Sequence, residues 1–199
     1  MTREADEQTL AFYDQEAPIY VRRGEKPSAA LPAFLGRLKS GAAILELGCG
    51  GGLDAEAMLA AGFDVTPTDG SSGLAAEAEL RLGRPVRVMR FEALDEDARY
   101  DAVWANACLL HVPEEGLAGV LGRIHRALRP GGVFYASFKA GEGGGRDALG
   151  RYYNFMSAAG LEAAYKKAGL WSELTMDQKP GGGYDGVART WLLCLAIKA

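Results

Sequence analysis

The sequence has few cysteines, no long apolar run and no extended basic cluster. Its 199 residues include three cysteines, Cys49, Cys108 and Cys194, with no CxxC pair. An odd, sparse set of this kind favours a reducing compartment over a disulfide framework or a zinc site. No apolar stretch approaches the length that crosses a bilayer, and the polar, acidic start MTREADEQTL is unlike a signal peptide. We therefore expect a cytoplasmic protein with no membrane segment and no metal site.

The sequence also lacks an excess of positive charge, with 22 lysines and arginines against 26 aspartates and glutamates. The net charge is −4, and the longest basic runs are pairs, Arg22-Arg23 and Lys166-Lys167, which is little for a protein that binds a phosphate backbone. Four arginines surround a predicted edge strand, where exposed charge is common because it blocks pairing between sheets. A small-molecule ligand is therefore favoured over nucleic acid, and we expect a monomer or a homodimer. The arginines that surround a predicted edge strand, and that could form a basic stripe, are Arg81, Arg84, Arg87 and Arg90.

What the sequence does contain is an alternation of short apolar runs and helix-like segments. A hydrophobic content of 48% with 24% charged residues suits one globular domain of this length. Residues from about Thr9 to Arg23 and from about Ser28 to Leu38 predict two helices. We interpret residues 1–40 as a helical cap and residues 41–199 as the core. From Ala42 onward the alternation predicts βαβ units, and so an α/β fold with a doubly wound, Rossmann-like sheet.

Three segments of the core depart from simple alternation. Pro67 lies in a strand that should be internal, where proline removes a backbone donor, so we expect a bulge or an early strand end. Residues 139–150 are rich in glycine and predict a mobile connection without a regular element. Residues 170–176 and 190–197 predict two strands joined by the turn KPGGGYDG, and so short a loop implies a hairpin and an antiparallel end of the sheet. The other predicted strands cover residues 42–47, 63–68, 86–91, 100–105 and 133–138.

A glycine-rich loop follows the first predicted strand. The segment ELGCGGG, residues 46–52, lies between this strand and a helix, where open α/β sheets bind nucleotides. The dinucleotide fingerprint would need a glycine at position 53, where the chain has Leu53. Asp69, at the end of the second predicted strand, could accept both ribose hydroxyls of NAD or of S-adenosylmethionine (SAM). Glu46 would repel a pyrophosphate but tolerates the ammonium and sulfonium of SAM, which disfavours an NAD-dependent oxidoreductase.

Four motifs, in order along the chain, resemble those of small class I SAM-dependent methyltransferases. The segments ILELGCGGG, VTPTDGS, YDAVWANACLLHVP and LRPGGVFYASFK are similar to the successive motifs of this family, especially of the broad bacterial group that includes tellurite-resistance-type enzymes. The resemblance runs from about Phe12 to the C-terminus. It implies a seven-stranded sheet whose last strand is antiparallel. It also implies methyl transfer from SAM to a small-molecule acceptor by in-line displacement at the sulfonium.

The resemblance further implies which residues hold the cofactor. The glycine loop would approach the methionine part of SAM, and Asp69 with the turn after it would hold the ribose. Glu92 and Ala93 would lie at the adenine edge, and Asn106 and Ala107 beside the sulfonium. The N-terminal FYD…A…Y pattern would close over the carboxylate of SAM. The cofactor-binding residues implied in this way are Tyr13, Tyr20, Arg22, Glu46, Gly48, Cys49, Gly50, Asp69, Gly70, Ser71, Glu92, Ala93, Asn106 and Ala107.

The acceptor side has weaker signals. His111 in LLHVP is the one histidine near the predicted reaction centre, and it either acts as a general base or orients its loop. Arg151, Tyr152 and Tyr153 supply a cation and aromatic surface for a small polar acceptor. We expect these residues to face the same cleft as His111, because both segments follow the carboxyl ends of predicted strands.

Several alternatives stay open at this level. Tyr13 and Tyr20 are spaced to share a helix face, so packing explains them as well as cofactor contact does. Glu92 precedes further acids and could belong to a solvated loop. Residues 106–108 lack the Asn/Asp-Pro-Pro-aromatic motif of enzymes that methylate base amines, which makes a nucleobase acceptor less favoured. A catalytically silent SAM-binding or protein-interaction module is a further alternative, because no obligatory catalytic side chain marks the family.

Overall fold

Parallel strands joined by helices make up the central part of the chain. The structure is a computed structural model that describes residues 6–24, 26–184 and 186–199. The first five residues of the predicted cap, together with Glu25 and Asp185, lie outside the described residues. The helices are α1 (Glu7–Arg23), α2 (Leu31–Leu35), α3 (Leu53–Ala60), α4 (Ser72–Leu82), α5 (Glu114–Ala127) and α6 (Ala158–Ala168). The strands are β1 (Ala43–Leu47), β2 (Asp64–Asp69), β3 (Arg87–Val88), β4 (Tyr100–Ala105), β5 (Leu128–Lys139), β6 (Gly144–Arg146), β7 (Tyr152–Asn154), β8 (Trp171–Gly182) and β9 (Ala188–Lys198).

Seven of these strands form one sheet in the order β3-β2-β1-β4-β5-β9-β8. The strands from β3 to β5 in this order are parallel, whereas β9 pairs antiparallel with β5, and β8 antiparallel with β9. The predicted doubly wound α/β sheet with an antiparallel end is therefore confirmed. The chain first builds outward from β1 to β2 and later returns to place β4 on the other side. This reversal opens a crevice at the carboxyl ends of β1 and β4.

Apolar side chains cover both faces of the sheet, which is why β1 is an almost continuous apolar run. On one face, α5 and α6 bury Leu117, Ile124 and Leu161 against the strands. On the other face, α2 and α3 bury Phe34 and Met58. Helices therefore hold the sheet on both faces, and the carboxyl ends of its parallel strands form a rigid edge that can carry a site.

Pro67 does not interrupt β2, so the predicted bulge or early strand end is wrong. The strand continues to Asp69, and Pro67 pairs in regular register with Glu46 of β1. Asp64 donates its N–H to Ala42 in the direction of β1, and backbone groups alternate in direction along a strand. The nitrogen of Pro67 therefore faces away from β1, where β3 begins only opposite Thr68. No ladder bond is lost.

The third strand is much shorter than predicted. Only Arg87 and Val88 pair with β2, and residues 91–93 form a 3₁₀ turn in place of the strand end. Both strand residues are exposed, so burial of their side chains does little to stabilise a longer strand. Val86 turns inward to pack near α4.

Residues 139–150 contain a regular element, so the expectation of a connection without one is wrong. β6 pairs antiparallel with β7 in a separate two-stranded sheet, with Gly145 opposite Tyr153. The turn between these strands is closed by Asp147, whose carboxylate accepts from the backbone N–H groups of Leu149 and Arg151, both at 3.0 Å. Four glycines within residues 141–145 hid this hairpin, because glycine weakens the strand signal.

The predicted cap consists of the long helix α1 and the short α2, which spans less than the predicted 28–38. Two carboxylates at the start of α1 bind arginines in bidentate pairs. Asp6 accepts from Arg146 of β6 at 2.7 and 2.9 Å, and Glu7 accepts from Arg90 after β3 at 2.6 and 2.9 Å. The helix therefore bridges two segments on opposite sides of the crevice.

Asp14 makes a third attachment in the middle of α1. Its carboxylate lies at the N-terminus of α4 and accepts from the hydroxyls of Ser71 and Ser72 and from the N–H of Gly73, at 2.8 to 3.1 Å. These bonds lower the pKa of Asp14, although partial burial acts in the opposite direction. A carboxylate at this end of a helix also interacts favourably with the helix dipole.

Among the described residues, no helix combines the length and apolarity that spanning a bilayer requires. Within the same residues, His, Cys, Asp and Glu side chains do not gather in threes or more at a spacing that could hold a metal ion.

Candidate active site

A cavity of about 610 Å³ opens at the carboxyl ends of β1, β2 and β4. Its floor is the glycine loop after β1, and its roof is α1 together with Gly183 and Tyr184 at the tip of the β8–β9 hairpin. This volume falls within the range of small-molecule and cofactor sites. The topology thus places one large cavity where an open α/β sheet is expected to bind its ligand.

The glycine loop needs glycine at its closest approach to the neighbouring strand. Gly48 and Gly50 have φ of +65° and +56°, which L side chains rarely adopt. A Cβ on Gly48 would overlap the Cβ of Cys108, which follows β4. The N–H of Cys49 donates to the carbonyl of Thr68 at 2.9 Å. The loop is therefore held flat against the ends of β2 and β4, with its backbone toward the cavity.

Asp69 ties the loop to the end of β2. Its two carboxylate oxygens accept from the N–H groups of Gly50 and Ser71, each at 2.8 Å. The side chain is buried but lines the cavity, and burial raises its pKa to about 6. Each oxygen can still accept a further hydrogen bond, so Asp69 can bind a ligand that donates from hydroxyl groups.

Glu46 is the most buried carboxylate of the cavity. It is 2% exposed, and its Oε2 atom has no hydrogen-bond partner among the described residues. Burial raises its pKa well above the ordinary value, with further contributions from Asp54 and Asp69. Leaving such an atom without a partner is costly. An orphaned carboxylate beside the glycine loop therefore fits a ligand that carries a positive group.

The loop after β4 is strained at the cavity wall. Ala107 has φ of +55°, which is uncommon for a residue with a side chain. Ser137 of β5 holds this geometry, since its hydroxyl accepts from the N–H of Ala107 and donates to the side-chain oxygen of Asn106, both at 2.8 Å. Sequence reasoning missed Ser137, because its role depends on β5 lying beside β4.

His111 is the centre of a hydrogen-bonded chain on the opposite wall. Its Nδ1 lies 2.6 Å from the carbonyl oxygen of Tyr152, which can only accept, so Nδ1 carries the proton of the neutral ring. Nε2 then accepts from the Tyr13 hydroxyl at 3.0 Å. Arg151 donates to that hydroxyl at 3.2 Å. Burial lowers the pKa of His111 to about 4, and the cations Arg151 and Lys139 add to this effect.

A buried ion pair supports this chain from behind. Arg151 donates from Nε and Nη2 to Asp147 at 2.9 and 2.6 Å, and the two side chains are only 1% and 5% exposed. The guanidinium also lies 5.0 to 5.8 Å from the ring centres of Phe12, Tyr13, Tyr153 and Tyr184. Arg151 is therefore fixed, and it fixes Tyr13 in turn.

The roof of the cavity is aromatic. Tyr20 of α1 reaches over the glycine loop, where a Cβ on Gly50 would lie 3.6 Å from its ring. Tyr184 stacks on Tyr20 at 5.1 Å between ring centres, and the Arg23 guanidinium lies 4.4 Å from the Tyr184 ring. Sequence reasoning used the turn KPGGGYDG only as a hairpin signal. A tyrosine among so many glycines was the one available hint of a role for its tip.

The structure gathers most of the sequence-predicted residues around the cavity. Arg22 does not line it, whereas the neighbouring Arg23 does. Ser71 is buried behind Asp69 and caps α4 by accepting from the N–H of Leu74 at 3.1 Å. The predicted residues that line the cavity are Tyr13, Tyr20, Glu46, Gly48, Cys49, Gly50, Asp69, Gly70, Asn106, Ala107 and His111.

The other predicted residues lie just outside the lining. Glu92 and Ala93 sit in the 3₁₀ turn whose first residue, Phe91, does line the cavity. The predicted acceptor residues Arg151, Tyr152 and Tyr153 lie behind Tyr13 and His111 rather than on the surface of the cavity. They support the wall from one layer below.

Comparison with known proteins identifies the family of this chain. A family model described as a methyltransferase domain matches residues 20–171. A ubiquinone biosynthesis O-methyltransferase of Paramagnetospirillum magneticum is 37% identical over 99 residues, which cover 47% of this chain and 39% of that protein. The chain thus spans about two fifths of the length of this curated relative.

Solved structures show the same fold. A 1,6-didemethyltoxoflavin-N1-methyltransferase of Burkholderia thailandensis, with 1,6-didemethyltoxoflavin and S-adenosylhomocysteine bound, superposes with a TM-score of 0.72 at 25% identity, covering 96% of this chain and 88% of that one. A SAM-dependent methyltransferase of Methanosarcina mazei gives a TM-score of 0.75 at 18% identity, with coverages of 87% and 99%. The family match shows that this chain belongs to the methyltransferase-domain family, and its fold is the one that these SAM-dependent methyltransferases share.

Proposed function

We propose that the protein binds SAM in this cavity and transfers its methyl group to a small-molecule acceptor. The observation that carries the proposal is the buried Oε2 atom of Glu46, a cavity-lining residue, which has no hydrogen-bond partner in the described part of the chain. The ammonium of SAM would supply that partner. A pyrophosphate would meet Glu46 and Asp69 as like charges, which is unfavourable in a cavity of low polarity.

The same geometry supports our proposal for the rest of the cofactor site. Gly48, Cys49 and Gly50 would approach the methionine part, and Asp69 has free acceptor capacity for the ribose hydroxyls. The 3₁₀ turn with Glu92 and Ala93 would lie at the adenine edge. The position of Arg22 outside the lining argues against its predicted role at the carboxylate of SAM.

Bound SAM would supply a methyl group on a sulfonium, a good leaving group, for in-line displacement. The chain's own task is then to hold the acceptor in line and to exclude water. Tyr13 and Tyr20, with Tyr184, form a roof suited to that task. Asn106 and Ala107, fixed by Ser137, would lie beside the reacting centre.

For His111 we propose a positioning role. Both of its ring nitrogens are already hydrogen-bonded, and its lowered pKa keeps the ring neutral at physiological pH. It therefore orients Tyr13 and the wall around it. Arg151, Tyr152 and Tyr153 would act on the acceptor through this wall and not by direct contact.

Charge and surface features support the remaining parts of the proposal. Three of the four arginines of the suspected basic stripe are engaged locally: Arg81 with Gly51 and Glu56, Arg87 with Glu96, and Arg90 with Glu7. This favours a small molecule over nucleic acid. We further propose a single-domain, bacterial and cytoplasmic enzyme that is a monomer or a homodimer, in line with its three free thiols. The resemblance to tellurite-resistance-type enzymes stays a prediction.

Calorimetric titration with SAM, S-adenosylhomocysteine and NAD tests the cofactor assignment. We expect both sulfur ligands to bind in the micromolar range, about −8 kcal/mol, and NAD to give no heat. Glu46→Gln, which keeps the shape but removes the charge, should weaken both sulfur ligands. Binding of NAD in preference to SAM would contradict the proposal. Release of labelled methyl groups across a panel of small acceptors then separates an enzyme from a silent binding module.

A further inference from the structure

A continuous row of aromatic rings walls one side of the cavity, from His111 to Tyr20 above the glycine loop and on to Tyr184. His111 and Tyr13 lie 5.5 Å apart between ring centres, Tyr13 and Tyr20 5.3 Å, and Tyr20 and Tyr184 5.1 Å. All four side chains line the cavity. We call this row the aromatic wall. Surfaces of this kind favour flat aromatic ligands, which stack on ring faces or pack against ring edges.

The polar atoms next to the reaction centre in this wall are already bonded. His111 donates to the Tyr152 carbonyl and accepts from Tyr13, whose oxygen accepts from Arg151. An acceptor that has to lose a proton would need one of these atoms to take it. The imidazole of His111 therefore keeps its orientation, and neither of its nitrogens is free to receive a proton.

The surroundings of His111 also oppose a positive charge on its ring. The titratable and charged groups around it are Tyr13 from α1, Lys139 from β5, Tyr153 from β7, Arg151 at the start of β7, and Asp147 from the preceding turn. Burial and the two cations outweigh the carboxylate and lower the pKa of His111. A proton placed there at neutral pH would be lost again.

The carboxylates that line the cavity either accept hydrogen bonds from other protein groups already or lie at the glycine loop. Asp54 accepts from the N–H of Ser28 at 2.6 Å and from the Trp104 indole at 2.8 Å. Asp6 is held by Arg146, and its pKa is lowered to about 2 mainly by that hydrogen bond. Glu46 and Asp69 lie at the glycine loop, where the proposed function gives them to the ammonium and ribose of SAM.

A cation stands at the rim of the same space. Arg23 lines the cavity, is exposed, and lies 4.4 Å from the Tyr184 ring. Its guanidinium can attract an anion toward the aromatic wall. Arg22, the residue before it on α1, is also exposed but does not line the cavity.

We propose that the acceptor is a small planar aromatic molecule that reaches the site already as an anion, such as a phenolate or the conjugate base of an acidic ring N–H. This inference rests on the proposed function. The lone pair of the anion forms the new bond to the methyl carbon, the carbon–sulfur bond breaks, and its electron pair returns to sulfur. The negative charge and the sulfonium charge disappear together, and no proton is released. Because isolated charges are costly in a buried, water-poor cavity, the wall favours a step that removes both.

Titration of the protein saturated with S-adenosylhomocysteine tests the inference. The probes are 4-nitrophenol, whose anion has a visible absorption band, and 4-methylphenol, a similar shape that stays protonated near neutral pH. Below the solution pKa of 4-nitrophenol, we expect the bound probe to show the band of its anion. It should bind at least about tenfold more tightly than 4-methylphenol, the scale of one charged interaction.

Two arginine variants locate the effect. Arg23→Gln should weaken the binding of 4-nitrophenol several-fold, whereas Arg22→Gln, on the same helix turn, should not. Both changes are at exposed positions, so folding is preserved. Binding of 4-nitrophenol in its protonated form, equal binding of both phenols, binding of neither, or equal loss in both arginine variants would overturn the inference. The proposed function fails separately, if S-adenosylhomocysteine itself does not bind.

Discussion

The two ends of the cavity are built in different ways. The donor end, around the glycine loop, comes from one stretch of chain between Glu46 and Ser71, and its contacts run through backbone N–H groups and glycine conformations. The acceptor end joins Tyr13 to His111 and to Arg151, residues that are 98 and 138 positions apart. Local geometry makes the donor end, whereas side chains brought together by the fold make the acceptor end.

This difference has energetic consequences. Strain at the donor end is confined to a few backbone positions that only glycine tolerates. At the acceptor end, a buried charge pair supports a chain of hydrogen bonds. Removing one partner leaves the other groups buried without a compensating interaction, which destabilises the fold. Substitutions at the donor end should therefore lower ligand affinity, whereas substitutions at the acceptor end should lower the free energy of unfolding.

The largest effect is expected from Arg151→Met. The substitution keeps the apolar volume but leaves Asp147, 5% exposed, as a buried charge without its partner. We expect a loss of about 3 to 5 kcal/mol in the free energy of unfolding, measured by urea denaturation. The double variant Asp147→Asn with Arg151→Met is the matched control and should recover much of this loss. A loss below about 1 kcal/mol in the single variant, the size of an exposed pair, would show that the acceptor end does not depend on this pair.

Gly48→Ala should act mainly on cofactor binding. The new Cβ would overlap Cys108 and force an unfavourable positive φ, so the loop must move. We expect SAM affinity to fall by about a hundredfold, near 2.7 kcal/mol, in calorimetric titration. Gly62→Ala is the control, since Gly62 also has positive φ, at +85°, but faces open space. It should cost about 1 kcal/mol of stability and leave SAM affinity intact; equal losses of affinity in both variants would refute a special role for position 48.

Asp69 gives the donor end a pH dependence. Its pKa of about 6 in the folded protein lies above the ordinary 3.8, so its contribution to stability is complete below about pH 4 and is lost as the pH rises through 6. Asp69→Asn removes this dependence. Between pH 4 and 7, the wild-type free energy of unfolding should fall relative to that of the variant by roughly 2 to 3 kcal/mol, measured by denaturation in the absence of ligand. If the free energies of unfolding of the two proteins change in parallel with pH, the pKa of Asp69 is not raised.

Asp14→Ala should have the smallest effect on stability and a distinct effect on mobility. Loss of the carboxylate leaves the N-terminus of α4 without this partner, at a cost of about 0.5 to 2 kcal/mol. Because Asp14 also attaches α1 to the core, hydrogen exchange along residues 9–23 should become faster. Gln15→Ala, an exposed change on the same helix, should leave exchange as in the wild type. Unchanged exchange in Asp14→Ala would mean that the other contacts of α1, its arginine pairs and Tyr13 among them, hold the helix without Asp14.

The sequence predicts the donor end well because its chemistry is local. A glycine loop after a buried strand and an aspartate at the end of the next strand specify the position of the ligand. The preference for SAM over NAD comes from Glu46, the glycine spacing and the family resemblance. The sheet is also predictable, except where short strands depend on their neighbours. β3 and β6 have few buried side chains of their own, so nothing in their segments reveals the pairing.

The acceptor end is predictable only as separate residues. The sequence draws attention to Tyr13, His111 and Arg151, but it contains no sign that one hydroxyl joins all three. Ser137 and Asp14 act on loops that lie far away in the sequence. Tyr184 reaches the roof because β8 and β9 stay paired as far as Gly182 and Ala188, past the end of β5 at Lys139, which alternation alone does not predict.

The position of Tyr184 at a hairpin tip bears on how readily the enzyme could change its acceptor. Gly182 and Gly186, on either side of the tip, face open space. Altered residues there would reshape the ceiling of the cavity without disturbing the sheet or the donor loop. Evolution, or a combinatorial library restricted to residues 182–187, could therefore search for new acceptors while the cofactor chemistry and the folding of the chain stay unchanged.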